Sequence, residues 1–450
     1  MSTTRQPPCP GRFALFFRLL LLGSLLAGPA CTDDDDSAAD PSPATASYPA
    51  DVALAWMKLH LRLVQTTPVA PFNVFGRSYG YAGIVGYEAV VPGMPGYKSL
   101  AGQLNGLTGL PTADKSLVYN WPLSANAALA AIHRNLFINT SLVNKTVIDS
   151  LENATSATYG ASLSPEVRTR SVEFGPRVAA AVAAWMATDG YDYTASFAPP
   201  TGPGMWVPTP PAYGAATFPH WGKNRPLVAG SDASADPGPP PTYSTVPGSS
   251  FYGMAQEVYT LSQNLTPEQR TIALFWNDPA NGQSFTPPGH WLSIMHQILT
   301  KEKAPLDKAL LAYARLGICL NEAAICCFKT KYTYTLLRPI TYIRTTLGQP
   351  AWNSVLISPP FPEYSSAHAV TSGAAAEALA GLFGANYAFT DQNHARFGLG
   401  TRSFTSFEQA AVEAGISRFY GGIHYRASCE KGVVQGKKIA QNINAQLAFR

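Results

Sequence analysis

Thirteen of the chain's 38 prolines fall between Pro199 and Pro247. Proline lacks a backbone N–H and its ring clashes with the preceding turn, so no helix runs through such a stretch. The 450 residues are thereby divided. Before the prolines, Ala53, Trp56, Met57, His60 and Leu61 recur at helical spacing, as do Phe174, Val178, Val182 and Trp185. After them, helical patterns cover Ala255 to Leu261, Pro267 to Trp276, Trp291 to Leu299 and Leu306 to about Lys331. Three more cover Ala367 to Phe383, Ser406 to Phe419 and Glu430 to Leu447. No run alternates convincingly as a strand. The expectation is an all-α fold, with helical halves over 51–198 and 250–450 joined by a Pro-rich strap over 199–249. The strap carries Trp206, Tyr213, His220, Trp221 and Arg225, an aromatic and polar set too rich for a free linker. It is expected to pack over the functional site.

The first 30 residues read as an export signal. Arg5, Arg12 and Arg18 precede the apolar run Leu19 to Leu26, and Gly28-Pro29-Ala30 leads to Cys31. The run is too short for a permanent membrane span. Two readings follow: a lipidated Cys31 at the bacterial cell envelope, periplasmic or extracellular, or an ordinary cut after Ala30. Residues 31–50, with Asp33 to Asp36 and a Ser/Ala/Pro stretch, read as a disordered polar tether. Any membrane contact would be through the lipid on Cys31. A net charge of +4 in a chain with 13% charged residues excludes a nucleic-acid surface, and six cysteines exclude a disulfide scaffold.

Three segments of the second half carry chemistry. Lys331 and Arg338-Pro339 are seven residues apart, a spacing that predicts two turns of one helical face. Glu363-Tyr364-Ser365-Ser366-Ala367-His368 leads into an Ala-rich helix, with Ser366 placed as its N-cap and backbone N–H groups behind it. Ser417-Arg418 closes a helix, and Gly421-Gly422 leads to His424. Together they supply guanidinium forks, one ammonium, backbone donors and two histidines, a socket for a tetrahedral oxyanion.

These segments resemble the signature of the vanadium-dependent haloperoxidases, which share a fold and site with type-2 phosphatidic acid phosphatases and bacterial acid phosphatases. Lys331 to Pro339 matches the first motif at every position, and Ser417 to His424 matches the third. The second keeps Ser366 and His368 but has Ser365 and Ala367 where the family has Pro and Gly. Trp276, Pro287 to Trp291, Phe361 to Tyr364 and Phe75 to Ala89 look like the exported bacterial branch, so the likeness spans about Asp51 to Arg450.

The resemblance implies that Lys331, Arg338 and Arg418 clamp the oxygens of vanadate, or of phosphate in the same place. Ser366 and the Ala367 N–H would add hydrogen bonds, His424 would bond vanadium, and His368 would move protons. Lys331 would also polarise bound peroxide. The partners implied are hydrogen peroxide and halide. A phosphatase reading stays open beside it, in which His424 attacks a phosphate ester to form a phosphohistidine. So does an oxyanion-binding lipoprotein without turnover, because Ser428 stands where the family has an acidic residue four positions after the third-motif histidine. Serine there can accept the imidazole N–H without adding charge, and Glu430 lies two residues further.

His220, His290 and His296 have no acidic or cysteine partner at ligand spacing and are expected to be structural. Cys429 is expected either to pair with Cys326 or Cys327, or to remain a buried thiol with them and Cys319. Phe328 and Phe361 stand where the family places aromatics near the halide route, or are core residues.

Overall fold

Thirteen α-helices and one small hairpin are seen among the described residues of the computed structural model, which are 42–67, 76–279 and 284–450. The signal and lipid-anchor reading at Cys31 lies outside them. The first half holds α1 (Asp51–Thr66), α2 (Arg77–Glu88), α3 (Trp121–Leu136), α4 (Leu142–Gly160) and α5 (Pro165–Met186). The second holds α6 (Ser250–Gln263), α7 (Pro267–Phe275), α8 (Thr286–Lys301) and α9 (Leu306–Tyr334). It continues with α10 (Pro339–Thr345), α11 (Ala367–Phe383), α12 (Phe407–Tyr420) and α13 (Arg426–Gln446). Side chains of Asn120, Ser141, Ser164, Ser249, Thr266 and Ser406 accept backbone N–H bonds at the starts of six helices, which fixes where these begin.

The fold is all-α, and the two halves share one core. Residues 40–450 form a single compact unit, and one buried apolar cluster draws on both halves. Its axis is α9. That helix is long and apolar enough to cross a membrane, but 89% of its apolar 18-residue stretch is buried inside the protein, and it serves as the core helix. It crosses α2 at van der Waals closeness. A Cβ at Gly317 would lie 2.5 Å from the Tyr79 carbonyl oxygen, and one at Gly83 would lie 2.6 Å from the Tyr313 carbonyl oxygen. Only glycine permits backbones this near. The ends of the site are held by α11 packed on α13, α12 and α9.

Two expectations change, and the reading left open for the cysteines is decided for free thiols. Residues 42–50 are packed and are not a free tether; the rest of that stretch lies outside the described residues. Thr45 donates to the Val90 carbonyl (3.0 Å), and Leu306 N donates to the Tyr48 carbonyl (2.9 Å), so the chain leading into α1 is sewn to the start of α9. A two-stranded antiparallel sheet exists, β1 (Phe389–Asp391) paired with β2 (Arg402–Phe404); strands of three residues are too short to show an alternation. Cys319, Cys326, Cys327 and Cys429 are all buried free thiols.

The Pro-rich strap contains no α-helix and is bonded along α9, where Leu227 N donates to Glu322 Oε1 (2.7 Å) and Lys329 Nζ to Asp232 Oδ2 (2.6 Å), and to the chain beyond its end. Trp206 N donates to Thr335 O (2.7 Å), Leu337 N to Gly204 O (3.0 Å), and Thr217 N to Pro360 O (2.8 Å). Trp206 and Trp221 are buried, whereas Tyr213 is exposed. His220 bonds the Ala195 carbonyl, and Arg225 donates to carbonyls of Asn105 and Trp185 in the first half. Of the strap, Thr217 and Phe218 reach the cavity described below.

Replacing Gly317 by Val drives a side chain into the α2 backbone, which cannot move aside. We expect a loss of roughly 1–3 kcal/mol or more, read as a lowered urea midpoint at unchanged slope; an unchanged midpoint would refute the close crossing.

Candidate active site

Lys331 lies in the last turn of α9, which ends at Tyr334 because Thr335 turns left-handed at φ 43°. Arg338 then adopts an extended backbone (φ −77°, ψ 151°), as the ring of Pro339 requires of the residue before it. The two cations therefore do not share a helical face, contrary to their spacing. They meet instead over one aromatic ring: Lys331 Nζ is 5.2 Å and Arg338 Cζ 5.1 Å from the Phe361 centroid. Ser366 is the N-cap of α11, yet its hydroxyl caps nothing. Ala367 is not among the residues with positive φ, so the alanine sits without strain where the family has glycine. Arg418 occupies the last turn of α12. Gly422, at φ 76°, then turns the chain so that His424 returns to the same place.

The residue whose role sequence reasoning missed is Glu363. It is fully buried and accepts from His424 Nδ1 (2.7 Å), from Tyr425 N (3.0 Å) and from Ser428 Oγ (2.8 Å). Ser428 thus donates to a carboxylate instead of accepting from the imidazole, and Glu430 is exposed. The acidic partner absent from the third motif is supplied from just before the second. The one available signal was an acidic residue in a charge-poor chain, two positions before Ser365. Burial pushes the Glu363 carboxyl up to about 7, against the pull of Arg338 and Lys331.

With Nδ1–H given to Glu363, His424 Nε2 carries the lone pair and lies 3.1 Å from Arg338 Nη1. Burial, then Arg338, Lys331 and Arg418, holds this imidazole well below its ordinary pKa, so it is neutral. His368 is likewise held neutral by burial and by Arg418.

Arg338 is anchored by Nε to Phe361 O (3.0 Å) and by Nη1 to Ile423 O (2.9 Å); Arg418 is anchored by Nη1 to Trp276 O (3.2 Å). Four buried polar atoms in these motifs have no hydrogen-bond partner: Arg338 Nη2, Ser366 Oγ, His368 Nε2 and Arg418 Nε. Other buried atoms, such as the Tyr79 and Tyr425 hydroxyls, are unpartnered too, but these four come from the three cationic and histidine motifs together, which suits an oxyanion. Lys331 differs. Its buried ammonium donates to the carbonyls of Pro362 (3.0 Å), Glu363 (2.9 Å) and Ser365 (2.5 Å), which takes all three of its donors. In this structure it braces the 362–365 segment, and an oxyanion gains it only by displacing one of these bonds.

A cavity of about 690 Å³ reaches the site. Ala367, His368, Arg418 and His424 line it, and Phe218, Phe328 and Phe361 are among its walls, so both phenylalanines singled out in the sequence face it.

Residues 312–448 match the second helical-bundle domain of the vanadium chloroperoxidase family. Vanadium chloroperoxidase from Curvularia inaequalis is 27% identical over 136 residues, 25% of this chain; the match spans only 22% of that protein. A crystal structure described as the first bacterial vanadium-dependent iodoperoxidase is 36% identical, superposes with a TM-score of 0.81, and is matched over 89% of this chain and 97% of that one. The chain belongs to the vanadium haloperoxidase family. A bacterial vanadium-dependent chloroperoxidase in its holo form (14% identity, TM-score 0.60, 85% and 93% covered) shares the fold.

Membership of the vanadium haloperoxidases implies vanadate, and the residues present fit it. The four unpartnered atoms, the neutral His424 nitrogen and the buried cations suit a multiply charged oxyanion and little else. His424 would hold the metal, with Arg338, Arg418, Ser366 and the Ala367 N–H on its oxygens.

Orthovanadate at 100 times its Kd should stabilise the fold by about 2.7 kcal/mol, seen as a raised thermal midpoint, and Arg418→Ala should lose that rise. Glu363→Gln, which keeps the shape but not the charge behind His424, should weaken vanadate by ~10–100-fold in calorimetry. Burial lowers the Lys331 ammonium to about 8. An anion favours its charged form, so affinity should fall as pH rises through about 8. Affinity that is flat across that range would show that Lys331 takes no part.

Proposed function

We propose that this chain is a vanadate-dependent haloperoxidase that oxidises halide with hydrogen peroxide, with iodide the first halide to test because the relative matched at 36% identity is described as an iodoperoxidase. The observation that carries this reading is the set of four unpartnered buried atoms around a neutral, carboxylate-backed His424. Bound vanadate supplies the Lewis-acid centre at which peroxide is activated toward a halide nucleophile.

The chain's own groups do the rest. Arg338 and Arg418 hold oxyanion charge in a site from which bulk water is largely excluded, where such bonds are strong. Glu363 keeps the proton on Nδ1 of His424, which leaves Nε2 as a ligand. His368, neutral and with Nε2 unpartnered, accepts a proton from incoming peroxide. The phenylalanine walls limit the water that reaches the oxidised halogen.

Wild type with vanadate, peroxide and iodide should produce oxidised iodine. His368→Ala should slow this by ~10²–10⁴-fold while vanadate still binds, and His424→Ala should lose both activity and vanadate retention. Hydrolysis of a phosphate ester without vanadate, through an acid-labile phosphoenzyme on His424, would instead establish the phosphatase reading.

We also propose export and lipid anchoring through Cys31, on the basic and apolar run that precedes it. Cys31→Ser should move the chain from the membrane to the soluble fraction on cell fractionation; an unchanged distribution would overturn the anchor.

A further inference from the structure

His290 was expected to lack an acidic partner, and the tertiary structure gives it two. Its Nδ1 lies 2.9 Å from Asp278 Oδ2 and its Nε2 lies 2.6 Å from Asp391 Oδ2. His394 Nε2 lies 3.1 Å from Asp278 Oδ1. Four elements meet here: the turn after α7, α8, β1 and the loop that follows β1. All four side chains are buried. Asp278 also lines the cavity that holds His368 and Arg418.

We infer that Asp278, His290 and His394 form a site for one divalent transition-metal ion, at the wall of the cavity and separate from the oxyanion socket. One ligand atom from each of the three residues can be chosen so that all lie within 4.8 Å of one another, and they are the one such group among the described residues. Metal–ligand bonds of ~2.1 Å put neighbouring octahedral ligands ~3.0 Å apart. The imidazole–carboxylate separations are of that size, 2.9 Å from His290 Nδ1 to Oδ2 and 3.1 Å from His394 Nε2 to Oδ1, so Asp278 would turn a different oxygen to each histidine. Two imidazoles and one carboxylate are a donor set for divalent iron, manganese, cobalt or zinc, and too rich in nitrogen for magnesium or calcium.

The surroundings fit as well. A ligating histidine characteristically gives its other ring N–H to a carboxylate, which orients the ring and raises its basicity. Asp391 stands in that relation to His290 and is not itself one of the three. Asn393 N in turn donates to Asp391 Oδ1 (2.9 Å), and Ser284 Oγ donates to Asp278 Oδ1 (2.6 Å), so both carboxylates are held in place. Trp276 stacks on the His290 ring at 4.6 Å and 19°, which fixes its plane. Through Asp278 the ion has a path to the cavity. Its charge would lie on the side of the site bounded by Arg418, adding to the field that favours an oxyanion there. The competing arrangement is metal-free, with a proton on His290 shared between the two aspartates; the ion would displace that proton.

The test uses the untagged full-length chain, treated with a chelator and titrated with cobalt(II). Expected is a visible d–d absorption that saturates at one cobalt per chain and is displaced by equimolar zinc. His394→Ala should weaken cobalt by at least ~100-fold, and Asp391→Asn by ~10–100-fold. Circular dichroism confirms that each variant is folded; should His394→Ala not fold, Asp391→Asn and His394→Gln carry the same comparison. Absence of a saturable 1:1 absorption in wild type overturns the site. So does cobalt affinity that is unchanged in the folded variants. Because cobalt is read by absorption with no vanadate, peroxide or halide present, the result is independent of the haloperoxidase reading.

Discussion

The bond between Glu363 and His424 is the interaction on which the site depends. A buried carboxylate beside Lys331 and Arg338 gives those cations a counter-charge, and its two oxygens accept from an imidazole, a backbone N–H and a serine. Removing one member of a buried charge set typically costs several kcal/mol, because the others are left uncompensated. Glu363 also sets chemistry. By taking Nδ1–H it leaves the His424 lone pair on Nε2, which accepts from Arg338 Nη1 (3.1 Å) until a ligand takes it. The same residue's carbonyl accepts from Lys331, so one position joins the first motif to the third.

Charge balance explains why the socket wants an anion. Lys331, Arg338 and Arg418 are buried, with Glu363 beside the first two and Asp278 acting on the third; burial, with Arg338 nearby, lowers the Lys331 ammonium to about 8. An oxyanion would satisfy the orphaned nitrogens and hydroxyl and restore the charge that desolvation penalises. The rigidity needed to hold such a site comes from elsewhere, from the glycine-paired crossing of α9 with α2 and from a strap bonded along α9. Side chains set on rigid helices, with a well-packed layer behind them, keep their geometry when the ligand is absent. The strap also closes part of the cavity wall, so the proline-rich segment that divides the sequence joins the halves in space.

How much of this could be read in advance depended on the distance over which each feature acts. Helix α11 was legible as Ala367–Phe383 because an Ala-rich apolar run is local, and the three motifs were legible because their spacing is local. The turn at Thr335 was not, since the seven-residue spacing of Lys331 and Arg338 fits one helix equally well until the αL residue breaks it. The hairpin escaped because three residues cannot display a period.

The amino-acid sequence by itself determined an all-α chain, a proline-rich interruption and the cations and histidines of an oxyanion socket, since periodicity, capping and backbone restriction are set by near neighbours. Only the tertiary structure decided that Glu363, 61 residues from His424, supplies its carboxylate. It likewise decided that Lys331 spends its donors on the 362–365 carbonyls, and that Asp278, His290, Asp391 and His394 converge. These are contacts between distant segments whose partners are chosen by packing and by the cost of leaving buried charge unpaired, and neither leaves a pattern along the chain.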